Sequence, residues 1–375
     1  MSTRGLAAFS SHHPKTVFAV WAVVIGICMV LASVVLPGVL TNDQDFTNNP
    51  ESQQGADLLR EAGLAGERTH QETIVLRSTQ YTVDDPAYAE FAQGLIEEVM
   101  ALAPETVEGA VGFHVTGDEA FVSEDRHITI IPVQLAGPAS DTGAQAGRLH
   151  AAVDESRDAA GFEIFVTGNA TINEAFQEIS ETDLIKGESI GVGVALIILL
   201  AVFGTVVSAL VPVLMAIVAI TVAVGLSALV GMYMFDLSFF VTNMITMMGL
   251  ALGIDYSLFI VSRYREEVAG GRDRMDAIQV AGATASRAVF FSGITVVLAL
   301  VGMLLIPTTI FRSLGAGAIL VALVSVLAAL TLLPAVLSVL GRHIERFRVR
   351  PRSTRRPDDP GGFWDWMTHR VMDRP

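Results

Sequence analysis

The sequence predicts a polytopic α-helical membrane protein with six transmembrane helices and an inserted α/β domain outside the bilayer. Three observations predict it. Of the 375 residues, 51% are hydrophobic and only 17% are charged. The apolar residues are also clustered: between Glu188 and Arg263 the only charged residues are Asp236 and Asp255, and between Arg287 and Arg342 the only one is Arg312. Both stretches far exceed the ~20 residues a helix needs to cross a bilayer. Finally, most acids fall in one segment, 41–188, whose patterning alternates between strand and helix.

Taken in order, residues 1–16 read as a short cytoplasmic N-terminus carrying Arg4 and Lys15. The run 17–36 is the first span. It is too long for the apolar core of a signal peptide and has no convincing A-x-A site, so it reads as a retained helix. Cys28, within it, is the only cysteine and so cannot form an intrachain disulfide. In the segment 41–188, "ETIVLRST" (72–79) alternates like a strand, and Asp85 before Pro86 opens a helix over 84–102. A second strand region covers 121–135 with "SEDR" as a turn, a second helix covers 145–160, and a third strand covers 162–168. Strand–helix–strand twice over predicts a small ferredoxin-like unit.

Ser180 to Leu184 leads into the second span. The remaining five spans, within 189–340, read as 189–210, 212–234, 237–262, 288–306 and 311–340. Pro212 divides the second span from the third, and Gly231–Asp236 is a short turn. The loop 265–287 holds a helix from Asp273 to Ala283. Residues 341–375 form a basic tail, with Trp364 and Trp366 as membrane-interface anchors. Its end, "WMTHRVMDRP" (366–375), loosely echoes "LAAFSSHHPK" (6–15) ahead of the first span, as the start of a second repeat would.

Charge orients the spans. With the N-terminus in the cytoplasm, the arginines of 263–287 and the tail also fall inside, and the short outer turns carry only Arg312, as the positive-inside rule requires. The segment 41–188 then lies outside. Its acidity, within a formal net charge of −15, makes nucleic acid an unsuitable partner. The basic tail fits anionic lipid instead.

Enzyme chemistry finds no purchase. The chain has no G-x-x-x-x-G-K-[ST], H-E-x-x-H, G-x-S-x-G or Cys–His cluster, so no catalytic residue, metal or other cofactor is assigned. Energy for any pumping would come from an ion gradient.

Asp255 is the candidate coupling residue. It lies about 12 Å along the helix from Arg263, the first cytoplasmic charge. An intramembrane acid costs roughly 2.5–3.5 kcal/mol on insertion scales and usually marks function. Low dielectric penalises the ionised form, so a carboxyl there can bind and release a proton as its surroundings alternate between wet and dry. The alternative is a permanently neutral or paired carboxyl holding helices together. Tyr256 points about 100° around the helix. It reads equally as an interfacial aromatic and as a donor to a carboxylate. Gly249 and Gly253, one turn apart, allow close helix approach. Ser292, Thr295 and Asn243 are possible members of a polar network around the acid. Met244, Met247 and Met248 read as core fillers.

These residues resemble a family. "GLALGIDYSLFIVSRYREE" (249–267), "AGATASRAVFFSGITVVLALVGMLLI", "FRSLGAGAILVALVSVLAALTLLPAVLSVLG" and "FEIFVTGNATINEAF" are similar to the MmpL transporters of the resistance-nodulation-division (RND) superfamily. The resemblance implies proton-driven export of lipids or other hydrophobic compounds across a bacterial inner membrane. It also implies an outer porter domain of ferredoxin-like fold, a sterol-sensing-like bundle over spans two to six, and a proton relay on Asp255 and Tyr256. Members have two such halves with facing Asp-Tyr pairs, whereas this chain has one. The expected partners are therefore membrane lipids, a hydrophobic substrate, protons, and a second transporter half or a paired chain. Two other readings stay open, a non-transporting lipid-sensing scaffold and a drug-efflux pump.

Overall fold

The computed structural model describes residues 3–41, 46–62, 71–137, 142–156, 161–341 and 363–373. A ten-residue helix, α1 (Thr3–His12), precedes α2 (Pro14–Val30). Pro14 sits in the first turn of α2, where its missing N–H leaves no bond unmade. The helix runs on through a π turn and a tight turn to Gly38. Then follow β1 (Leu40–Thr41) and α3 (Glu51–Glu61), and after them the α/β domain. It comprises β2 (Gln71–Ser78), α4 (Pro86–Met100), β3 (Val107–Ala110), α5 (Phe113–Thr116), β4 (Ile128–Leu135), α6 (Thr142–Ser156) and β5 (Phe162–Gly168).

The four longer strands form one antiparallel sheet in the order β3-β4-β2-β5. Two strand–helix–strand units are thus interleaved, the split βαβ arrangement. The period-two pattern of β2 buries Glu72, Ile74, Leu76 and Ser78, and Ile131 and Val133 of β4 join them against Tyr88 and Leu95 of α4 and Leu149 of α6. Tyr88 satisfies its hydroxyl on the Leu76 carbonyl at 2.7 Å. The sequence pattern misses β3. It is a four-residue edge strand with a register shift at Gly109, too short and irregular to alternate. The second helix starts at Thr142, and its expected end at 157–160 lies outside the described residues.

α7 (Asn169–Phe203) leaves β5 directly and is a single helix of 35 residues, about 52 Å long. Only its second half, Thr182–Phe203, is apolar enough to cross a membrane. The expected boundary at 188/189 therefore falls inside a helix, and the charged stretch before it is a stalk continuous with the span. The buried carboxylate of Glu72 anchors this stalk. It accepts from the backbone N–H groups of Ala170 (2.9 Å) and Thr171 (3.1 Å), donors that the first turn leaves without helical partners and where negative charge is favoured. Glu72→Gln keeps the shape but gives up the charge and one acceptor. It should cost the full chain about 1 kcal/mol, read as a lower thermal unfolding midpoint. An unchanged midpoint would show that the stalk is held elsewhere.

Beyond α7 come α8 (Val206–Tyr233), β6 (Leu237–Ser238), α9 (Phe240–Ala269), α10 (Arg274–Ala283), α11 (Ala285–Leu304), α12 (Thr309–Leu330), α13 (Leu332–Leu340) and α14 (Phe363–Met372). Six helical stretches are long and apolar enough to cross a membrane: Pro14–Gly38, Thr182–Phe203, Val206–Tyr233, Phe240–Ala269, Arg274–Leu304 and Thr309–Leu340. The chain is a polytopic helical membrane protein. α8, α9 and α12 form the interior of the bundle, and α2, α7 and α11 flank it.

Two boundaries correct the sequence reading. Pro212 does not divide the second and third spans but lies inside α8. Membrane helices tolerate proline because neighbours re-satisfy the freed carbonyl. The turn is made by Gly204, in the left-handed conformation at φ 66°, and extended Thr205. Arg265 secures it by donating to the Phe203 carbonyl at 2.8 Å. The sixth span, expected to be continuous, breaks at Thr331 between α12 and α13. Pro334 is the cause, since its ring conflicts with the carbonyl four residues back, that of Leu330.

At the end carrying the α/β domain, β1 pairs in parallel with β6. At the opposite end, α1 packs on α10 and α13. Asp273 caps α10 by accepting from the Met275 N–H at 3.1 Å.

Candidate functional site

The site is built on α9, which lies in the crevice between α8 and α12. Two glycines make that fit possible. A Cβ on Gly249 would overlap Ile220 of α8 and come within 3.0 Å of Val321 of α12. A Cβ on Gly253 would lie 2.6 Å from the Cα of Ala216, so there α8 touches the backbone itself.

This seating decides where the acid points. Asp255 follows Gly253 by two residues and so lies about 200° around the helix, away from the crevice. It is exposed, in one stripe with Met247, Ala251 and Phe259 at spacings of four. Asp255 sits near the middle of the 30-residue α9, central in depth but at the lateral surface of this bundle. Among the described residues it has no hydrogen bond or ion pair.

Tyr256 turns inward and is 7% exposed. Its hydroxyl crosses to α11, 3.8 Å from where a Gly293 Cβ would stand. Ser292 lies beside it, but the geometry is not that of a hydrogen bond, and the phenol has no partner. The absence of a side chain at Gly293 makes room for this crossing.

The wider polar network contracts. Thr295 donates to its own backbone, at Phe291 O (3.0 Å), as hydroxyls in membrane helices often do. Asn243 shares α9 with Asp255 but lies about 18 Å away along its axis, so it belongs to another level of the bundle. What meets is Tyr256 and Ser292, while Asp255 points to the flank of the bundle. Two buried serines went unnoticed in the sequence: Ser286 of α11 and Ser325 of α12 have hydroxyls without partners. A lone serine in an apolar run carries no signal, because most such hydroxyls bond their own helix.

The end of α9 opposite the α/β domain is fixed by charge. Glu267, nearly buried, is held between Arg263 and Arg272, and Arg263 also reaches Glu266 at 3.0 Å. Of the two expected interface tryptophans, Trp366 is exposed on α14, and the side chain of Trp364 lies outside the described residues.

Comparison with known proteins gives this geometry a context. The model of the MMPL family matches residues 47–375. A mycolic acid-containing lipids exporter of Mycolicibacterium smegmatis, MmpL11, is 38% identical over 214 residues, 57% of this chain and 22% of the relative. The trehalose monomycolate exporter MmpL3 of Mycobacterium tuberculosis is 28% identical over 320 residues, 78% of this chain and 34% of the relative. A Streptomyces coelicolor membrane protein, SCO6666, is 31% identical over 354 residues, 92% of this chain and 48% of the relative. The matches cover less than half the length of each of these relatives.

Proposed function

The chain belongs to the MMPL family, and from that premise we propose that it is one half of a proton-driven exporter of lipids or other hydrophobic compounds. The observation that carries this reading is Asp255: a carboxyl group in mid-span, exposed on the flank of its own bundle, with no hydrogen-bond or ion-pair partner among the described residues. Intramembrane acids almost always face a protein interior or an aqueous cavity. A flank that presents one is a surface awaiting another protein surface, either a second half or a paired chain with its own acid and phenol. The ten-residue helices α1 and α14 lie on the two echoing stretches and support a repeat.

In this mechanism Asp255 takes up a proton when its side of the interface is wet and releases it when the interface rearranges. The phenol of Tyr256, which can both donate and accept, hands the proton across the bundle. Neutralising the acid removes the penalty for a dry, closed interface. Ionising it restores that penalty, so proton entry and exit bias two packings of the halves. The α/β domain then acts as a ferredoxin-like porter domain outside the cytoplasm, with the N-terminus inside, and α7 is the strut that ties it to the bundle.

The test is reconstitution of the complete assembly in proteoliposomes with a fluorescent lipid. Lipid transfer should rise with an imposed pH gradient and fall to background when a protonophore collapses it. Lipid binding with no response to the gradient would overturn the exporter reading in favour of a scaffold.

A further inference from the structure

A second acid stands within a span. Glu188 lies on α7 inside the membrane-crossing stretch Thr182–Phe203. Two contacts fix its depth against α9. Towards the α/β domain the rings of Phe176 and Phe240 meet edge to face, with centroids 5.7 Å apart. At the other end Arg265 donates to the Phe203 carbonyl at 2.8 Å. Both contacts join residues about 63 positions apart, so the two helices run parallel and stay in step. Glu188 is therefore level with Ala251, one turn or about 6 Å nearer the α/β domain than Asp255. The sequence reading ends the outer segment at 188 and so leaves this acid outside the membrane; the contacts move it almost to the depth of Asp255.

Its surroundings give the carboxyl nothing to pair with. Glu188, Val192, Leu196, Leu199 and Phe203 follow at spacings of four, four, three and four, one face of a helix, and the last four pack into the bundle core. Glu188 is half-buried, and its Oε1 is closed off from solvent with no hydrogen-bond partner among the described residues. Of the elements packed on α7, α8 carries no charged residue, and α9 carries none before Asp255. The phenol of Tyr256 turns away to α11. α6 and β2 meet α7 in the stalk, through His150 at Thr171 and through Glu72 at Ala170 and Thr171. On α7 itself, Lys186 is exposed and lies 3.8 Å from Asp183, about 200° around the helix from Glu188. Packing alone would be served here by an aliphatic residue, as at Val192 and Leu196. Buried polar groups held for structure find partners, and intramembrane acids mark function by default.

We infer that Glu188 is a second proton carrier, set between Asp255 and the water on the side of the α/β domain. The inference rests on the exporter reading proposed above. A protonated Glu188 gives its proton, through intervening water, to ionised Asp255. One carboxylate is lost and one gained, so charge is conserved, and Glu188 is reset from the outer solution. Inward passage is the direction that a gradient acid on the outside drives.

The test reads lipid flux by the complete assembly in proteoliposomes, with the α/β domain facing out, against the pH of the outer solution. Glu188→Gln should lower flux about a hundred-fold, the lower end of what a positioned proton carrier contributes. Native flux should level off as the outer solution is acidified, whereas the Gln variant should keep rising, because protons then reach Asp255 without a relay. Glu188→Asp, which keeps a carboxyl, should recover most of the flux. A purely structural glutamate would leave the pH profile unmoved. The native chain gives a readout free of any variant's folding: a hydrophobic carbodiimide, which modifies protonated carboxyls in apolar surroundings, should label Glu188, less so as the pH is raised. Native rate and profile in Glu188→Gln, beside an inactive Asp255→Asn, would sink this inference alone, as would labelling at Asp255 without any at Glu188. Flux indifferent to the gradient in the native assembly would remove the exporter reading and this inference with it.

Discussion

Asp255→Asn is expected to abolish gradient-driven transport by the complete assembly while leaving the protein folded and inserted. The substitution is close to isosteric and falls on an exposed stripe, so no packing is lost. No hydrogen bond or ion pair of the described residues ends on Asp255, so none is broken. The stability change should stay within about 0.5 kcal/mol, as for surface positions generally. Chemically the change is total. A carboxamide does not take up a proton at physiological pH, so the interface no longer has two charge states between which to alternate. The gradient supplies about 2.3 kcal/mol per charge for each 100 mV, and without a proton carrier none of it reaches the cargo. Lipid flux in proteoliposomes should fall to the protonophore-treated background, while Asp255→Glu, which keeps a titratable carboxyl, retains measurable flux. Undiminished transport by the Asn variant would remove Asp255 from the mechanism.

Much of this was legible in the sequence because membrane spans obey a simple rule. Uncharged runs longer than a bilayer must be helices, and the runs here are long. The direction of Asp255 was not read, because the sequence shows the glycines without showing which helices pack on them. The errors have equally physical causes. Pro212 reads as a break by the rules of soluble helices, but the bundle supplies what it lacks. The stretch "EISETDLIKGESI" (178–190) reads only as a lead-in to the second span, but it lies inside the continuous helix α7. Asn243 looked like a member of the acid's network only because both share a span; the rise per residue separates them. The link between the first and last spans was invisible for another reason. Trp21 donates to the Thr331 hydroxyl, a pairing across nearly the whole chain that no local pattern encodes.

Gly253→Ala should damage both stability and transport, whereas Gly249→Ala, one turn away, should cost stability by a clash that trimming one side chain relieves. The two glycines look equivalent in sequence, and both face the crevice between α8 and α12. What they meet differs. A methyl on Gly253 would stand 2.6 Å from the Cα of Ala216 and 2.8 Å from its Cβ. Backbone cannot rotate aside, so α8 and α9 must separate. Overpacking of this kind costs about 1–3 kcal/mol, set against a gain of about 1 kcal/mol from replacing glycine by alanine in a helix. The shift also moves Asp255, two residues away, so under the proposed function transport should fall by more than stability alone explains. A methyl on Gly249 meets instead the side chain of Ile220 and, at 3.0 Å, Val321 Cγ2. The obstacle is Cγ1 of Ile220, a branch carbon whose χ1 is stiff in a helix, so Gly249→Ala also costs stability, but through a side chain and not through the backbone. Second-site changes separate the two mechanisms. Ile220→Ala should relieve any cost of Gly249→Ala, because the obstacle is the side chain it removes. Ala216→Gly should fail to rescue Gly253→Ala, because the nearest atom is the Cα that glycine retains. Thermal unfolding of the four single and two double variants measures both couplings. Full rescue at Ala216 would show that the helices meet through side chains there, and that the position of the acid does not rest on backbone contact.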